Sequence, residues 1–280
     1  MATPGNAQTS PDDLPFRHYS AKHQVIVWIS QTLFDRFTYT VRHGLIQGMK
    51  RRGGLGWLPS SRPHSKEEVF WHGLDLSRQV VYDVGAFHGI LTMFFARSAA
   101  QVISYEPNSR NYDRLLENIG LNRLSNVTVR KLGLGAAPEK ATLVYMPRMS
   151  GGGSLEEKTV QQMRDSKVAT LSEQIEISTL DQDIASAGLP PPDFIKIDVE
   201  GWELEVLQGA RQTLAAHKPT LFLEMHGETM NEKKRKVAAI VEFLTEAGYR
   251  NIQHVETGTL ISPANTQVAA EGHLYCRTAL

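Results

Sequence analysis

From Val80 onward, short apolar runs alternate with segments of helical periodicity, and few folds accommodate such an order. Strands are predicted at Val80–Val84, Val102–Glu106, Val127–Leu132, Phe194–Val199 and Thr220–Met225. Helices are predicted between and after them at Ile90–Ser98, Arg110–Leu121, Trp202–His217 and Lys233–Ala247. This alternation is typical of a parallel β-sheet with helices on both faces. We therefore expect an α/β fold.

Three further segments complete the predicted domain. Ala141–Met146 is a candidate additional strand, and Tyr249–Val255 together with His273–Arg277 could close the sheet in antiparallel fashion. Ser150–Gly153 is rich in glycine, which tolerates unusual backbone angles, so a flexible loop is expected there.

A chain of 280 residues can form one large α/β domain with an appendage. We expect residues 1–65 to be an N-terminal tail with an amphipathic helical extension and residues 66–280 to be the α/β domain. The 30 basic and 30 acidic residues cancel. Because no excess positive charge is left to hold a polyanion, we expect no nucleic-acid partner.

Cys276 is the only cysteine of the sequence, which excludes an internal disulfide and fits a reducing compartment. The segment Met1–Pro15 lacks the basic and then apolar pattern of a secretory signal. A cytoplasmic protein is therefore expected.

The N-terminal segment carries a stripe of apolar residues spaced by four, which predicts a long amphipathic helix or helix pair. The stripe consists of Val25, Ile29, Leu33, Phe37, Val41, Leu45 and Met49. A basic, glycine-containing stretch, Lys50–Gly54, ends it, and a loop is expected to about Ser65. The uninterrupted apolar run is too short to span a bilayer. The stripe could pack on the domain, form a dimer contact or cover the substrate, and its basic residues could also contact anionic lipid.

A glycine turn follows the first strand of the α/β region. Gly85 would let the chain turn sharply after the strand, and Gly89 would permit a close approach of ligand or helix. The G-x-G-x-x-G fingerprint of dinucleotide sites is missing. Asp83 would repel a pyrophosphate but attract a cationic amino-acid group, which favours S-adenosylmethionine over NAD. The alternative is a structural turn in which glycine serves packing and acids cap helices.

Glu106 follows Asp83 by 23 residues, at the end of the second predicted strand. This is about the interval at which an acidic residue reaches an adenosine ribose. We therefore expect Glu106 to accept hydrogen bonds from both ribose hydroxyls.

Two later strands also end in polar side chains, at the sheet edge where ligands bind in open α/β folds. Asp198 and Glu200 follow one strand, and Asp198 could face the reacting groups, bind a metal ion or cap the next helix. Glu200 and Glu203 are expected mainly to support the helix start electrostatically. Glu224 and His226 follow the other strand.

The sequence resembles the FkbM family of methyltransferases over roughly Val80 to Gly227. The resemblance is carried by Asp83–Ala86 with Gly89 and Thr92, Glu106-Pro107, Leu115 to Asn118, Ser178–Asp181, Ile195–Glu203, Val206-Leu207, Gly209-Ala210 and Glu224–His226. At Phe87-His88 the chain departs from relatives, which often have Asn and a variable residue. The resemblance implies a class I methyltransferase fold, a seven-stranded Rossmann-like sheet with helices on both faces, and S-adenosylmethionine as cofactor. The implied cofactor-binding residues are Asp83, Gly85, Ala86, Phe87, Gly89, Thr92, Glu106, Pro107, Asn108 and Asp198.

Members of the family mostly modify hydroxyls of sugars or natural products, so a small-molecule or glycan acceptor is expected. O-methylation needs the hydroxyl proton removed as the oxygen attacks, and a histidine is suited to this. We expect His226, assisted by Asp198 and Glu224, to orient and deprotonate the acceptor. The alternative for His226 is a hydrogen bond to a loop.

Other interpretations stay open. Asp198, Glu200 and Glu224 are oxygen ligands of the kind that magnesium prefers, but their spacing alone does not establish a metal site. A nicotinamide-dependent oxidoreductase and a non-catalytic binding module on the same fold are the alternative functions. The sequence leaves the oligomeric state open, and a homo-oligomer is compatible with it.

Overall fold

The computed structural model describes residues 35–54, 65–146, 149–154, 170–227 and 229–278. Its strands are β1 Thr38–Thr40, β2 Lys50–Arg52, β3 Val80–Val84, β4 Gln101–Tyr105, β5 Val127–Arg130, β6 Gly133–Leu134, β7 Glu139–Met146, β8 Met149–Ser154, β9 Leu171–Ser178, β10 Phe194–Ile197, β11 Thr220–Glu224, β12 Asn251–His254 and β13 His273–Arg277. Its helices are α1 Lys66–His72, α2 Ile90–Phe95, α3 Ser109–Asn122, α4 Leu180–Ala187, α5 Glu203–Gln208, α6 Arg211–His217 and α7 Met230–Glu246, with a 3₁₀ turn at Thr266–Ala269.

The main sheet has seven strands in the order β12-β13-β11-β10-β3-β4-β5. Strands β11, β10, β3, β4 and β5 are mutually parallel. Strand β13 runs antiparallel to both β11 and β12. The predicted seven-stranded α/β sheet and its antiparallel closure are therefore confirmed.

Both faces of the main sheet are covered. On one face, Tyr82 of β3 and Ile195 of β10 belong to a core that also contains Val241 of α7. Their neighbours Val81 and Phe194 point to the opposite face, into a second core. Trp71 of α1 is fully buried in that second core, and its ring centroid lies 4.2 Å from that of Phe222. Because successive strand residues point to opposite faces, near-continuous apolar strands are what a doubly covered sheet requires.

The strand order reverses at β3. From β3 the chain proceeds outward through β4 and β5, and it then returns to place β10 on the other side of β3. Ligands of open α/β sheets bind at such a reversal, beyond the carboxyl ends of the strands. The fold therefore places the main candidate site at the ends of β3, β4 and β10.

A second sheet of four strands, β6-β9-β7-β8, is inserted between β5 and β10. The additional strand predicted at Ala141–Met146 is confirmed as part of β7 and belongs to this second sheet. The flexible loop predicted at Ser150–Gly153 is wrong, because these residues form β8, antiparallel to β7. The hydrogen bonds between paired strands join backbone groups. Pairing with β7 can therefore keep these glycines in a strand, although glycine has no strand preference of its own.

The amphipathic helix predicted for the N-terminal extension is wrong over residues 38–52. Strands β1 and β2 form an antiparallel hairpin in which Tyr39 faces Arg51. Gly44 and Gly48 between them have φ angles of 78° and 85°, which reverse the chain and are incompatible with a continuous helix. The helix predicted over Val25–Leu33 and the loop over residues 55–64 lie outside the described residues.

The hairpin packs against α3. The backbone N–H of Lys50 donates to Asn122 Oδ1 at 2.8 Å, and that of Arg52 donates to Asn118 Oδ1 at 2.9 Å. The Arg52 guanidinium also pairs with Glu117 at 3.0 Å. These basic residues, for which contact with anionic lipid was left open, therefore lie on a strand that packs against α3. Within the described residues, no helix has the length and apolar character needed to cross a membrane.

The single helix predicted over Trp202–His217 is divided into α5 and α6. The division occurs at Gly209, whose backbone passes close to the second sheet. A Cβ at Gly209 would lie 2.0 Å from the carbonyl oxygen of Gly135. This close approach joins the second sheet to the helices that precede β11.

Candidate active site

A cleft of about 210 Å³ opens at the carboxyl ends of β3, β4 and β10 and is bounded on its other side by the second sheet. Its lining combines strand ends, apolar wall residues and two carboxylates beside β10. The lining residues are Val84, Gly85, Phe87, Tyr105, Glu106, Pro107, Asn108, Asn111, Leu132, Gly133, Leu134, Leu143, Tyr145, Ile175, Asp198, Val199, Glu200 and Trp202. Six of the ten predicted cofactor residues line the cleft. The other four, Asp83, Ala86, Gly89 and Thr92, do not.

Gly85 forms the turn that joins β3 to the cleft. Its φ is 78°, and an added Cβ would lie 1.8 Å from the carbonyl oxygen of Asp198. The backbone N–H of Asp198 in turn donates to the carbonyl of Val84 at 3.1 Å. The ends of β3 and β10 therefore touch through backbone atoms, and a side chain at residue 85 would separate them.

Glu106 lies at the end of β4 with its carboxylate held by backbone amides. Oε2 accepts from the N–H of Phe87 at 2.8 Å, and Oε1 accepts from the N–H of Asn108 at 3.0 Å. Burial raises the pKa of Glu106 to about 7, although these two hydrogen bonds oppose the rise. The carboxylate is thus rigidly oriented at the edge of the cleft. Asn108 caps α3 through its side chain, and Pro107 lies between the two.

Asp83 is fully buried beneath the cleft and does not line it. Its Oδ1 lies 3.2 Å from Lys196 Nζ, and its Oδ2 accepts from the Thr92 hydroxyl at 2.5 Å. Thr92 also lies 3.0 Å from the Ser104 hydroxyl. Asp83 therefore supports the site through Lys196 and Thr92.

Lys196 is a central residue that the sequence analysis did not single out. Its Nζ donates to the carbonyl of Gly85 at 2.9 Å and lies 3.4 Å from Asp198 Oδ2. Burial acts to lower the pKa of this lysine, but Asp198 and Asp83 outweigh burial and hold the pKa above its usual value. A charged residue in the middle of an otherwise apolar strand, Phe194–Ile197, is the sequence signal that marks it.

His226 lies beside the cleft, among carboxylates from β10, α5 and β11. Its Nδ1 lies 2.9 Å from Glu203 Oε1, and Glu203 is itself buried. On the other side of the ring, Nε2 lies 3.7 Å from Asp198, 3.7 Å from Glu200 and 3.6 Å from Glu224. The three predicted catalytic residues are therefore close together, and Asp198 lines the cleft as well.

The carboxylates control the protonation of His226. Burial acts to lower its pKa, but the hydrogen bond that it donates to Glu203 and the surrounding negative charges raise it to about 10. Burial raises the pKa of Glu200 to about 7 and also raises that of Asp198. Near neutral pH, His226 in this arrangement therefore carries a proton, while its neighbours include groups that can accept one.

A second histidine, His273 of β13, extends this cluster. Its Nε2 lies 3.7 Å from Glu224 Oε2, and its Nδ1 lies 2.5 Å from Glu256 Oε1. Burial would raise the pKa of Glu224, but His273 and His226 outweigh burial and lower it to about 2. His273 was not among the candidate residues, because strand β13 was assigned only a role in closing the sheet.

The apolar wall of the cleft comes from the second sheet and from the loop before α5. Leu143 and Tyr145 of β7 and Ile175 of β9 line it. Trp202 also lines it, and the indole Nε1 of Trp202 is buried with no hydrogen-bond partner among the described residues. Alternating polar and apolar residues in Leu171–Ser178 are the signal that could have identified β9.

Comparison with known proteins agrees with these features. Residues 83–251 match the methyltransferase FkbM domain family. The chain is 30% identical to methyltransferase sdnD of Sordaria araneosa, over 48% of this chain and 61% of that protein. It is 29% identical to hexuronic acid methyltransferase AglP of Haloferax volcanii, over 60% of this chain and 64% of that protein.

The chain therefore spans less than two thirds of the length of either relative. Among solved structures, a methyltransferase FkbM from Methylobacillus flagellatus aligns with a TM-score of 0.43 and 19% identity. That alignment covers 76% of this chain and 50% of the other.

Proposed function

Because the chain belongs to the FkbM methyltransferase family, we propose that it transfers a methyl group from S-adenosylmethionine to a hydroxyl of a sugar or other small molecule. One observation carries this proposal. Asp198 lies both on the wall of the cleft and within the His226 cluster, so one residue joins the cavity to a set of titratable groups.

The cleft residues fit the cofactor. Glu106 presents a fixed carboxylate for the ribose hydroxyls, and Trp202 forms part of the wall of the cavity. The apolar side chains of the second sheet suit the faces of an adenine ring. Gly85, Ala86, Phe87 and Gly89 form the turn on the methionine side.

The methyl donor, when bound, is activated by its own sulfonium charge, so the protein supplies binding, orientation and proton transfer. In-line attack needs the acceptor oxygen about 3 Å from the methyl carbon. Asp198 is the proposed link between the two substrates. Asp83 and Thr92 contribute indirectly, because Lys196 and the Gly85 turn depend on them.

We assign the acceptor hydroxyl to the cluster of His226, Asp198 and Glu224. While its carboxylate neighbours are charged, His226 holds its proton and serves to orient the acceptor by hydrogen bonding. Carboxylates whose pKa is raised by burial, Asp198 and Glu200, are then the groups that can receive the acceptor proton.

The acceptor class to examine first is a hexuronic acid, because a relative carries that substrate in its name. Methyl glycosides of glucuronic acid, incubated with the protein and isotopically labelled S-adenosylmethionine, should gain one methyl ether. Mass spectrometry after alkaline hydrolysis distinguishes an ether at a hydroxyl, which persists, from an ester at the carboxylate, which is lost. A methyl ester as the only product would contradict the proposed hydroxyl acceptor.

His226→Ala tests the acceptor end separately. Single-turnover methyl transfer should slow by about 10²-fold, because the acceptor loses the hydrogen bond that orients it, while the Kd for S-adenosylmethionine stays within twofold. An unchanged turnover would remove His226 from the mechanism.

A further inference from the structure

The side chains around His226 are arranged around a gap that hydrogen bonds do not fill. Nε2 of His226 lies 3.6 to 3.7 Å from oxygens of Asp198, Glu200 and Glu224, which is beyond hydrogen-bond distance from each. Ligands about 2.1 Å from a shared metal ion lie about 3.0 Å apart when adjacent and about 4.2 Å apart when opposite. One ligand atom each from Asp198, Glu224 and His226 all lie within 4.8 Å of one another. These separations are too long for direct pairing and lie between the adjacent and opposite values for ligands of one ion.

We propose that His226 Nε2 and the carboxylates of Asp198 and Glu224 bind a divalent cation, Mn²⁺ or Mg²⁺, with Glu200 at the open side. The role of the ion in holding the acceptor oxygen during catalysis rests on the proposed function. The binding of the ion is independent of that function.

The buried Glu203 provides an independent reason for this assignment. It is only 1% exposed and lies 2.9 Å from His226 Nδ1, while the same oxygen accepts from the N–H of Gly201. A hydrogen bond at Nδ1 directs the lone pair of a neutral imidazole to Nε2. Metal-binding histidines almost always have such a carboxylate or carbonyl behind them. Glu203 is therefore a positioning residue, and its burial makes the ring orientation rigid.

Charge also favours a cation. Asp198, Glu200, Glu203 and Glu224 surround one imidazole, and Lys196 reaches only Asp198 among them. An ion at Nε2 would bind the neutral imidazole and place positive charge among these carboxylates. His273 approaches the second oxygen of Glu224 and leaves the first directed at His226.

The ligand types decide which ions to test. Carboxylate oxygens suit Mg²⁺ and Mn²⁺, and a single imidazole is better tolerated by Mn²⁺. The position of the ion indicates its role in catalysis. Asp198 also lines the cleft, so an ion bound there would lie next to the methyl donor and stabilise negative charge on the acceptor oxygen.

Mn²⁺ is the probe, because its electron paramagnetic resonance signal in water disappears on binding to protein. The full chain, freed of metals with a chelator, is titrated with MnCl₂ at pH 7.5 without any substrate. We expect one ion per chain. Glu224→Gln and His226→Gln should each weaken binding at least tenfold, and Glu203→Gln should weaken it by about 10- to 100-fold through loss of ring positioning.

Glu271→Gln is the matched control, because it removes an exposed carboxylate paired with Lys233 and no ligand. It should bind Mn²⁺ as the unmodified chain does. The melting temperature of each variant, measured without metal, separates lost binding from lost folding. If the unmodified chain binds Mn²⁺ no more tightly than the folded His226→Gln variant, the site is overturned.

Metal binding and methyl transfer are measured in separate experiments. Full methyl transfer in excess chelator, with no Mn²⁺ bound, would refute the catalytic role of the ion and leave the proposed function standing. Stoichiometric Mn²⁺ binding that depends on His226 supports the site even if none of the acceptors tested is methylated.

Discussion

Gly85 shows how one residue can decide the geometry of the site. The change Gly85→Ala would place a methyl group 1.8 Å from the carbonyl oxygen of Asp198, at a φ of 78°. Because both atoms belong to tightly paired strand ends, the backbone must move. We expect unfolding by urea to show a loss of about 3 kcal/mol or more, with strain and overpacking both contributing.

Gly48→Ala is the control for this prediction. Its φ of 85° is similar, but a Cβ there meets nothing within 4 Å. Only the left-handed backbone penalty of about 1 to 2 kcal/mol applies. Equal losses at the two positions would show that the contact with Asp198 is not what excludes a side chain at residue 85.

We expect the raised pKa of Glu106 to make the free energy of unfolding depend on pH. Burial raises its pKa to about 7 in the folded protein, from 4.5 as the usual value. Between these two pH values the folded state holds a proton that the unfolded state has released. The free energy of unfolding should therefore fall as pH rises through this window, by about 3 kcal/mol in total.

Urea unfolding of Glu106→Gln over the same pH range isolates this contribution, since glutamine does not titrate. The fall in stability between pH 4.5 and pH 7 should be smaller in the variant by about that amount. Parallel curves for the two proteins would contradict the buried, proton-binding environment assigned to Glu106.

Individual acids could be predicted from the sequence, but their partners could not. Asp83 and Glu106 were identified by their positions at strand ends, and the structure places only Glu106 on the cleft wall. Asp83 lies under it because Lys196, distant in sequence, comes alongside when β10 pairs with β3. Local spacing carries no information about such a pairing.

At the scale of elements, β3 and β10 are joined by a buried charge cluster. Lys196→Met should remove the cation beside Asp83, which is fully buried, and leave that carboxylate unpaired. Breaking one partner of a buried pair costs about 3 to 5 kcal/mol, and urea unfolding measures it.

The double variant Asp83→Asn with Lys196→Met provides the test. It should lose less stability than the sum of the two single variants, since the unpaired charge on Asp83 is no longer present. Strict additivity would mean that the two side chains do not interact in the folded protein.

The second sheet should contribute to cofactor affinity. Tyr145→Ala removes an aromatic side chain from the cleft wall, and we expect the Kd for S-adenosylmethionine to rise by about tenfold through lost apolar contact. Gln174→Ala is the control, because that side chain is on the same sheet and bonds Thr142. Equal effects would indicate that the sheet acts only through overall stability.

Elements were predictable where local signals were strong. The parallel strands and α3 follow from periodicity, and α1 was missed although Ser65 and Glu68 form a capping box before an apolar run. The apolar stripe in the N-terminal segment led to a wrong prediction of a helix. Apolar residues spaced by four also fit a hairpin that packs on a helix, and here Val41 and Met49 of the hairpin segment pack near Met93 of α2. Tertiary packing, not local preference, decides that case.

For the whole molecule, the site depends on elements that are distant in sequence. The main sheet supplies Glu106 and Asp198, the inserted sheet closes the cleft, and the later strands supply Glu224 and His226. The sequence indicated the main sheet and its polar edge. It did not indicate the inserted sheet as a wall, because that sheet is defined by strand pairing over long separations.

The central claim is that the cleft at the ends of β3, β4 and β10 binds S-adenosylmethionine through Glu106. Calorimetric titration of the purified chain with S-adenosylmethionine, with NADH in parallel, tests it directly. We predict one S-adenosylmethionine per chain, at least about tenfold weaker binding by Glu106→Ala, and no binding of NADH. Absence of S-adenosylmethionine binding, or equal affinity in Glu106→Ala, would contradict the claim.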